Sequence, residues 1–269
     1  MLADVPIASL ALLVVAAVGA GAINTLVGSG TLLTFPALLA AGLPPVTANV
    51  TNNVGLVFGS VAGTWGYRRE LAGQGRRLAW LLPFSAVGGL TGAGLLLVLP
   101  QRVFDTAVPV LVGMGVLLVL AQPRLAARAA RAAAAREAAG GGGSWRPVSG
   151  AATVGLLAGV AAAGVYGGYF GAAQGVILIG LLGATLADGL QRLNATKNAL
   201  ASAVNLLATV LFVVAAPDLV DWRLAATVAV GAVVGGVLGA RYGRRLPARA
   251  LRAVIAVVGV VAVIALAVR

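Results

Sequence analysis

The chain alternates long apolar runs with short polar loops. The runs fall at about 5–26, 30–42, 46–66, 78–99, 103–122, 149–171, 174–187, 194–215, 221–240 and 250–268. Most approach the roughly 20 residues that an α-helix needs to cross a bilayer. With 60% of the 269 residues hydrophobic and 10% charged, a water-soluble fold could not cover its apolar surface. A bilayer removes that requirement, because the protein exterior there is itself apolar. The expected fold is an all-α polytopic membrane protein. Residues 5–20 with Ala20-Gly21-Ala22 imitate a signal peptide, but no Lys or Arg precedes them and Asp4 has the wrong sign. A retained first span is expected.

The polar inventory excludes whole classes of chemistry. There is no Cys and no His. The seven acids are Asp4, Glu70, Asp105, Glu137, Asp188, Asp218 and Asp221, with no close pair inside an apolar run. Thiolate and imidazole metal sites are excluded, and acid–base or hydrolytic catalysis has little to work with. The chain reads as no enzyme, and no cofactor is expected. Its net charge of +12 does not indicate nucleic acid. The Arg residues occupy short loops, where the positive-inside rule places them.

Two runs, 30–42 and 174–187, are too short to span. Thirteen or fourteen residues rise only about 20 Å, against a hydrocarbon core of roughly 30 Å. Each follows a break, Gly28-Ser29-Gly30 in one case and Ala172-Ala173-Gln174-Gly175 in the other. Helix breaks persist in lipid only where protein or a watery cavity surrounds them. Each break opens a short helix whose N-terminus suits an anion. Glycines that merely permit close helix packing are the alternative, and that reading is preferred for Gly88, Gly89, Gly92, Gly235, Gly236 and Gly239.

The breaks recur because the chain repeats itself. Asn49-Val50-Thr51-Asn52-Asn53 matches Asn194-Ala195-Thr196-Lys197-Asn198, displaced by 145 residues, and the same displacement carries Gly30 onto Gly175. The expected organisation is an N-terminal transmembrane repeat at 1–122, an Arg- and Gly-rich cytoplasmic linker at 123–148 and a C-terminal repeat at 149–269. Within the linker, 124–139 reads as a basic helix, either near anionic headgroups or simply solvated. If each short run folds back as a hairpin, each half crosses an odd number of times and the repeats are inverted. The Arg-rich segments 67–77, 123–148 and 241–249 then share the cytoplasmic face, and both termini lie outside it.

The candidate substrate-binding residues are Gly28, Ser29, Gly30, Asn49, Thr51, Asn53, Gln174, Gly175, Asn194, Thr196, Lys197 and Asn198. Amides and hydroxyls supply neutral hydrogen-bond donors. Lys197, the only Lys in the chain, would add a positive charge. Capping or interhelical hydrogen bonding is the alternative role for the Asn and Thr groups, and snorkelling to the interface is the alternative for Lys197.

These residues also carry a resemblance. The segments are Phe35-Pro36-Ala37-Leu38-Leu39, Gly42-Leu43-Pro44-Pro45 and Tyr67-Arg68-Arg69 in the first half. In the second half they are Gly164-Val165-Tyr166-Gly167-Gly168-Tyr169-Phe170-Gly171 and the run from Arg192 to Asn198. In them the sequence resembles the TauE/SafE sulfite exporter family of bacterial membrane transporters. The family's first break is usually richer in Gly than Val27-Gly28-Ser29-Gly30. The resemblance implies a multi-pass protein of the inner membrane that exports a small sulfur-containing anion, such as sulfite or an organosulfonate. The partners implied are that anion and the lipid bilayer, with no nucleic acid; a homo-oligomer is compatible with both. No ATP-binding P-loop is present, so a gradient would drive transport. An anion channel and a non-transporting scaffold or assembly protein remain the alternatives.

Overall fold

In the computed structural model of the protein, residues 7–138, 150–186, 188–242, 253 and 255–261 are described. Among them the regular structure is entirely helical. The order is α1 (Ile7–Leu26), α2 (Thr31–Ala40), α3 (Pro45–Gly66), α4 (Arg68–Leu71), α5 (Gly75–Val98), α6 (Gln101–Ala138), α7 (Ala151–Tyr169), α8 (Gln174–Thr185), α9 (Leu190–Ala215) and α10 (Trp222–Tyr242). Residues 255–261 are also helical.

Among the described residues, six helices are long and apolar enough to span a membrane: α1, α5, α6, α7, α9 and α10. α3 has a span's length of 22 residues, but Asn49, Thr51, Asn52, Asn53, Ser60 and Thr64 make it more polar. Most of the first four are buried. The spans turn aliphatic side chains outward, as at Val15 (71% exposed), Val98 (82%) and Val214 (77%). Such a surface suits lipid and not water. Trp65 and Trp222 are exposed at helix ends, where amphipathic rings anchor at a membrane interface.

α6 differs from the expected run at 103–122. It continues through Pro123 to Ala138, 38 residues in all, or about 57 Å at about 1.5 Å per residue. Arg124, Arg128 and Arg131 on the extension are exposed. The basic segment is therefore one helix with the span before it. Gly140 to Ser144 of the linker, and most of the loop 241–249, lie outside the described residues.

Packing fixes the helix directions. Gly231 lies against Ala17, and Gly235 and Gly239 against Ala22, so α1 and α10 run parallel. Gly164 meets Ser85 and Gly168 meets Gly89, so α5 and α7 are parallel as well. A Cβ at Gly88, Gly92 or Gly235 would collide with backbone of the facing helix, which supports the packing reading of these glycines. α2 turns back along α1, with Gly30 against Ala20 and Leu33 beside Gly19. α8 turns back along α7 in the same way, with Gln174 at Gly167 and Leu181 at Gly159. Both short helices are thus the returning arms of helical hairpins.

Candidate functional site

Both hairpins turn on the same backbone device. α1 ends at Gly28, with φ +89°, whose N–H reaches back five residues to the Ile23 carbonyl at 3.0 Å. α7 ends at Gly171, with φ +78°, whose N–H reaches back five residues to Tyr166 at 2.9 Å. Only glycine adopts this left-handed conformation without steric cost. The two breaks then meet. The Gly175 N–H donates to the Gly28 carbonyl at 3.3 Å, and the two glycines stack Cα against Cα.

A helix that ends inside a bilayer leaves carbonyls without partners. The duplicated Asn-x-Thr-x-Asn segments supply them. Asn194 and Asn198 donate to the Thr25 carbonyl at 3.4 and 3.2 Å. The Lys197 ammonium donates to the carbonyls of Asn24 and Thr25 at 3.3 and 3.2 Å, at the negative end of the α1 dipole. In the other half, Asn49 donates to the Tyr169 carbonyl at the end of α7, at 2.9 Å. Each motif therefore caps the broken helix of the opposite half.

The central threonines do related work at the other ends of the helices. Thr196 donates to Gln74, the residue preceding α5, at 2.6 Å. Thr51 accepts from the backbone N–H of Asp221, the residue preceding α10, at 3.0 Å. Asp221 in turn caps α10 through the N–H groups of Arg223 and Leu224. Around Gln74 the α8–α9 loop is pinned by Asp188, which pairs with Arg77 and Arg192. Asp188 is thus held in a loop ion cluster.

Between the breaks lies a cavity. It is lined by Asn24 of α1, Gly28 of the first break, Thr31 of α2, and Asn52, Asn53 and Leu56 of α3. Phe170, Gly171, Gln174 and Gly175 of the second break and Ala201 and Asn205 of α9 complete it. Among the described residues, no charged side chain lines it. The space open to a water's centre is about 10 Å³, near the least that holds one water molecule. Asn24 and Asn205 each donate to the Ser60 hydroxyl at 2.9 Å. Asn52 bridges the first turn of α2, donating to Thr31 at 3.2 Å and accepting from Thr34. The Gln174 side chain is 3% exposed, and among the described residues its Nε2 has no hydrogen-bond partner. On one side the cavity is walled by aromatic rings. Phe170 packs edge-on against Phe35 at 5.2 Å and Phe104 at 6.2 Å.

Of the residues singled out in the sequence, Gly28, Asn53, Gln174 and Gly175 line the cavity. Asn49, Thr51, Asn194, Thr196, Lys197 and Asn198 do not line it and bond across the two halves instead. Ser29 is fully buried beside Gly28, and Gly30 packs on the Ala20 carbonyl. Sequence reasoning missed Asn24, Thr31, Ser60 and Asn205 and treated Asn52 only as the counterpart of Lys197. Two signals pointed to all but Thr31. Asn24 and Asn205 are amides within apolar runs, and Ser60 maps onto Asn205 by the same displacement of 145 residues.

The sequence pattern of the family described as Sulfite exporter TauE/SafE matches residues 13–266. The chain belongs to this family. Similar proteins are named as probable membrane transporters. One from Sinorhizobium is 36% identical over 102 residues, 38% of this chain and 39% of that protein. YfcA of Escherichia coli K12 is 34% identical over 108 residues, 39% of each chain. A probable membrane transporter of Haemophilus influenzae is 25% identical over 241 residues, 88% of this chain and 86% of its own. The first two matches thus span about two fifths of the relatives' length. No solved structure matches the chain. Family and fold together make this TauE/SafE member a multi-pass membrane protein.

Proposed function

We propose that the chain is a secondary transporter that exports a small sulfur-containing anion, sulfite or an organosulfonate, across the bacterial inner membrane. One observation carries this reading: the N-termini of both short helices open onto one small cavity at the crossing of the two breaks. A helix N-terminus carries partial positive charge, and amide and hydroxyl donors surround it here. Family membership and the relatives' names as probable transporters support the substrate class and the activity. A cavity with room for about one water, closed on one side by aromatic rings, favours a carrier that changes shape over an open channel.

The proposed site comprises Gly28, Asn53, Gln174 and Gly175 with Asn24, Thr31, Asn52 and Asn205. Ser29, Gly30, Asn49, Thr51, Asn194, Thr196, Lys197 and Asn198 hold its walls. The helix directions support two inverted repeats, since α1 with α10 and α5 with α7 form corresponding parallel pairs. In that arrangement 123–148 is cytoplasmic and both termini are outside.

Gln174→Leu tests the site. Gln174 Nε2 has no described protein partner, so its loss leaves folding nearly unchanged. If it contacts the anion, affinity falls by about 0.5–1.5 kcal/mol, the worth of one hydrogen bond. Binding titration and melting temperature, measured side by side, separate the two. Unchanged affinity would remove Gln174 from the site.

A further inference from the structure

α3 and α9 face each other along a continuous polar seam. Asn53 accepts from Thr209 at 2.9 Å. Ser60 accepts from Asn205 at 2.9 Å, and its carbonyl accepts from Ser202 at 2.8 Å. The hydroxyls of Thr64 and Ser202 lie 2.7 Å apart. Pairs rise along α3 as they fall along α9, so the helices are antiparallel. On each helix the residues recur at intervals of three, four or seven, which is one face.

Interhelical hydrogen bonds alone could explain such a seam. Two further observations point to a ligand. The cavity sits on the seam, since Asn53, Leu56, Ala201 and Asn205 line it, and the buried, unpartnered Nε2 of Gln174 belongs to the same cavity. Phe170, which also lines the cavity, packs against Phe35 and Phe104. Past Thr64 the seam ends at Gly66, beside the exposed Arg68 and Arg69. Exposed cations at a mouth raise the local concentration of anions.

We propose that the α3–α9 seam is the route by which the anion reaches the cavity, entering at the end marked by Thr64, Ser202, Arg68 and Arg69. This rests on the transport reading above. Polar groups facing a bundle interior then serve as a pathway as well as glue.

The chain has no Cys, so each introduced thiol is unique. Ser202→Cys, Thr64→Cys and Val210→Cys are prepared in full-length protein in lipid nanodiscs, where both faces meet solvent. Val210, 51% exposed on α9, serves as the lipid-facing control. The probes are an anionic and a cationic methanethiosulfonate, neither of which enters lipid. Ser202→Cys and Thr64→Cys are expected to react, faster with the anionic probe, while Val210→Cys stays unlabelled. Either seam position suffices if the other variant folds poorly. Absence of labelling at the seam, in variants that still transport, overturns the route and leaves the transport reading standing. Equal labelling at Val210→Cys also overturns it. Seam labelling in the Cys variants, together with a parent protein that moves no anion, defeats the transport reading and leaves the seam as a water-filled path.

Discussion

Gly175→Ala is expected to abolish transport and lower the melting temperature, although it adds a single methyl group. The new Cβ would lie 2.5 Å from the Gly28 Cα, a distance that real Cβ atoms do not tolerate. The neighbour is backbone held by the left-handed turn at Gly28, so it cannot move aside as a flexible side chain would. Overpacking at such a crossing typically costs about 1–3 kcal/mol. Separation of the breaks would also lengthen the 3.3 Å bond from Gly175 N–H to the Gly28 carbonyl and displace Gln174. Gly28→Ala meets the same crossing from the other side and adds strain at positive φ. Gly94→Ala on α5 provides the contrast. A Cβ there meets nothing within 4 Å, and Ala is favoured over Gly in a helix by about 1 kcal/mol. It should transport as the parent does. Equal transport by Gly175→Ala and Gly94→Ala would mean that the crossing has no role.

Lys197→Met is expected to damage folding first and transport as a consequence. Lys197 is fully buried, and its ammonium donates to two carbonyls at the end of α1. Met retains much of the length and volume but leaves the Asn24 carbonyl without its donor, while Thr25 keeps Asn194 and Asn198. Buried acceptors without partners cost about 1–3 kcal/mol. Lys197→Arg should not rescue the loss. The guanidinium is larger and planar, and a site with no exposed surface has no room for it. The measurement is melting temperature together with anion affinity in the protein that remains folded. A normal melting temperature with weakened affinity would instead place the ammonium's charge on the anion.

The sequence makes the membrane class and the helices plain, because a bilayer needs apolar runs of a set length. Within the described residues the expected runs differ from the helices by a few residues, except at α6, where Ala-rich sequence continues the helix past its last apolar turn, and at α4, which no run foretold; most of 250–268 lies outside the described residues. That 30–42 and 174–187 form short helices after a break was legible from their length. The duplicated motif was legible as important, but its work was not. Asn49, Asn194 and Lys197 bind carbonyls more than a hundred residues away in sequence, and no local pattern says which helix end they cap. Asn24, Ser60 and Asn205 fell outside the motif because each is a single polar residue in an apolar run. Only folding brings the three together into one hydrogen-bonded group beside the cavity.

The central claim is that the crossed breaks enclose a site for a small sulfur-containing anion that the protein carries across the membrane. The direct test is exchange of radiolabelled sulfite and a labelled alkanesulfonate in proteoliposomes that hold purified full-length protein and unlabelled anion inside. Saturable accumulation of label driven by the internal anion, weakened in Gln174→Leu and absent in Gly175→Ala, is the predicted result. Label that fails to accumulate with either anion, or an ion current that never saturates, would contradict it.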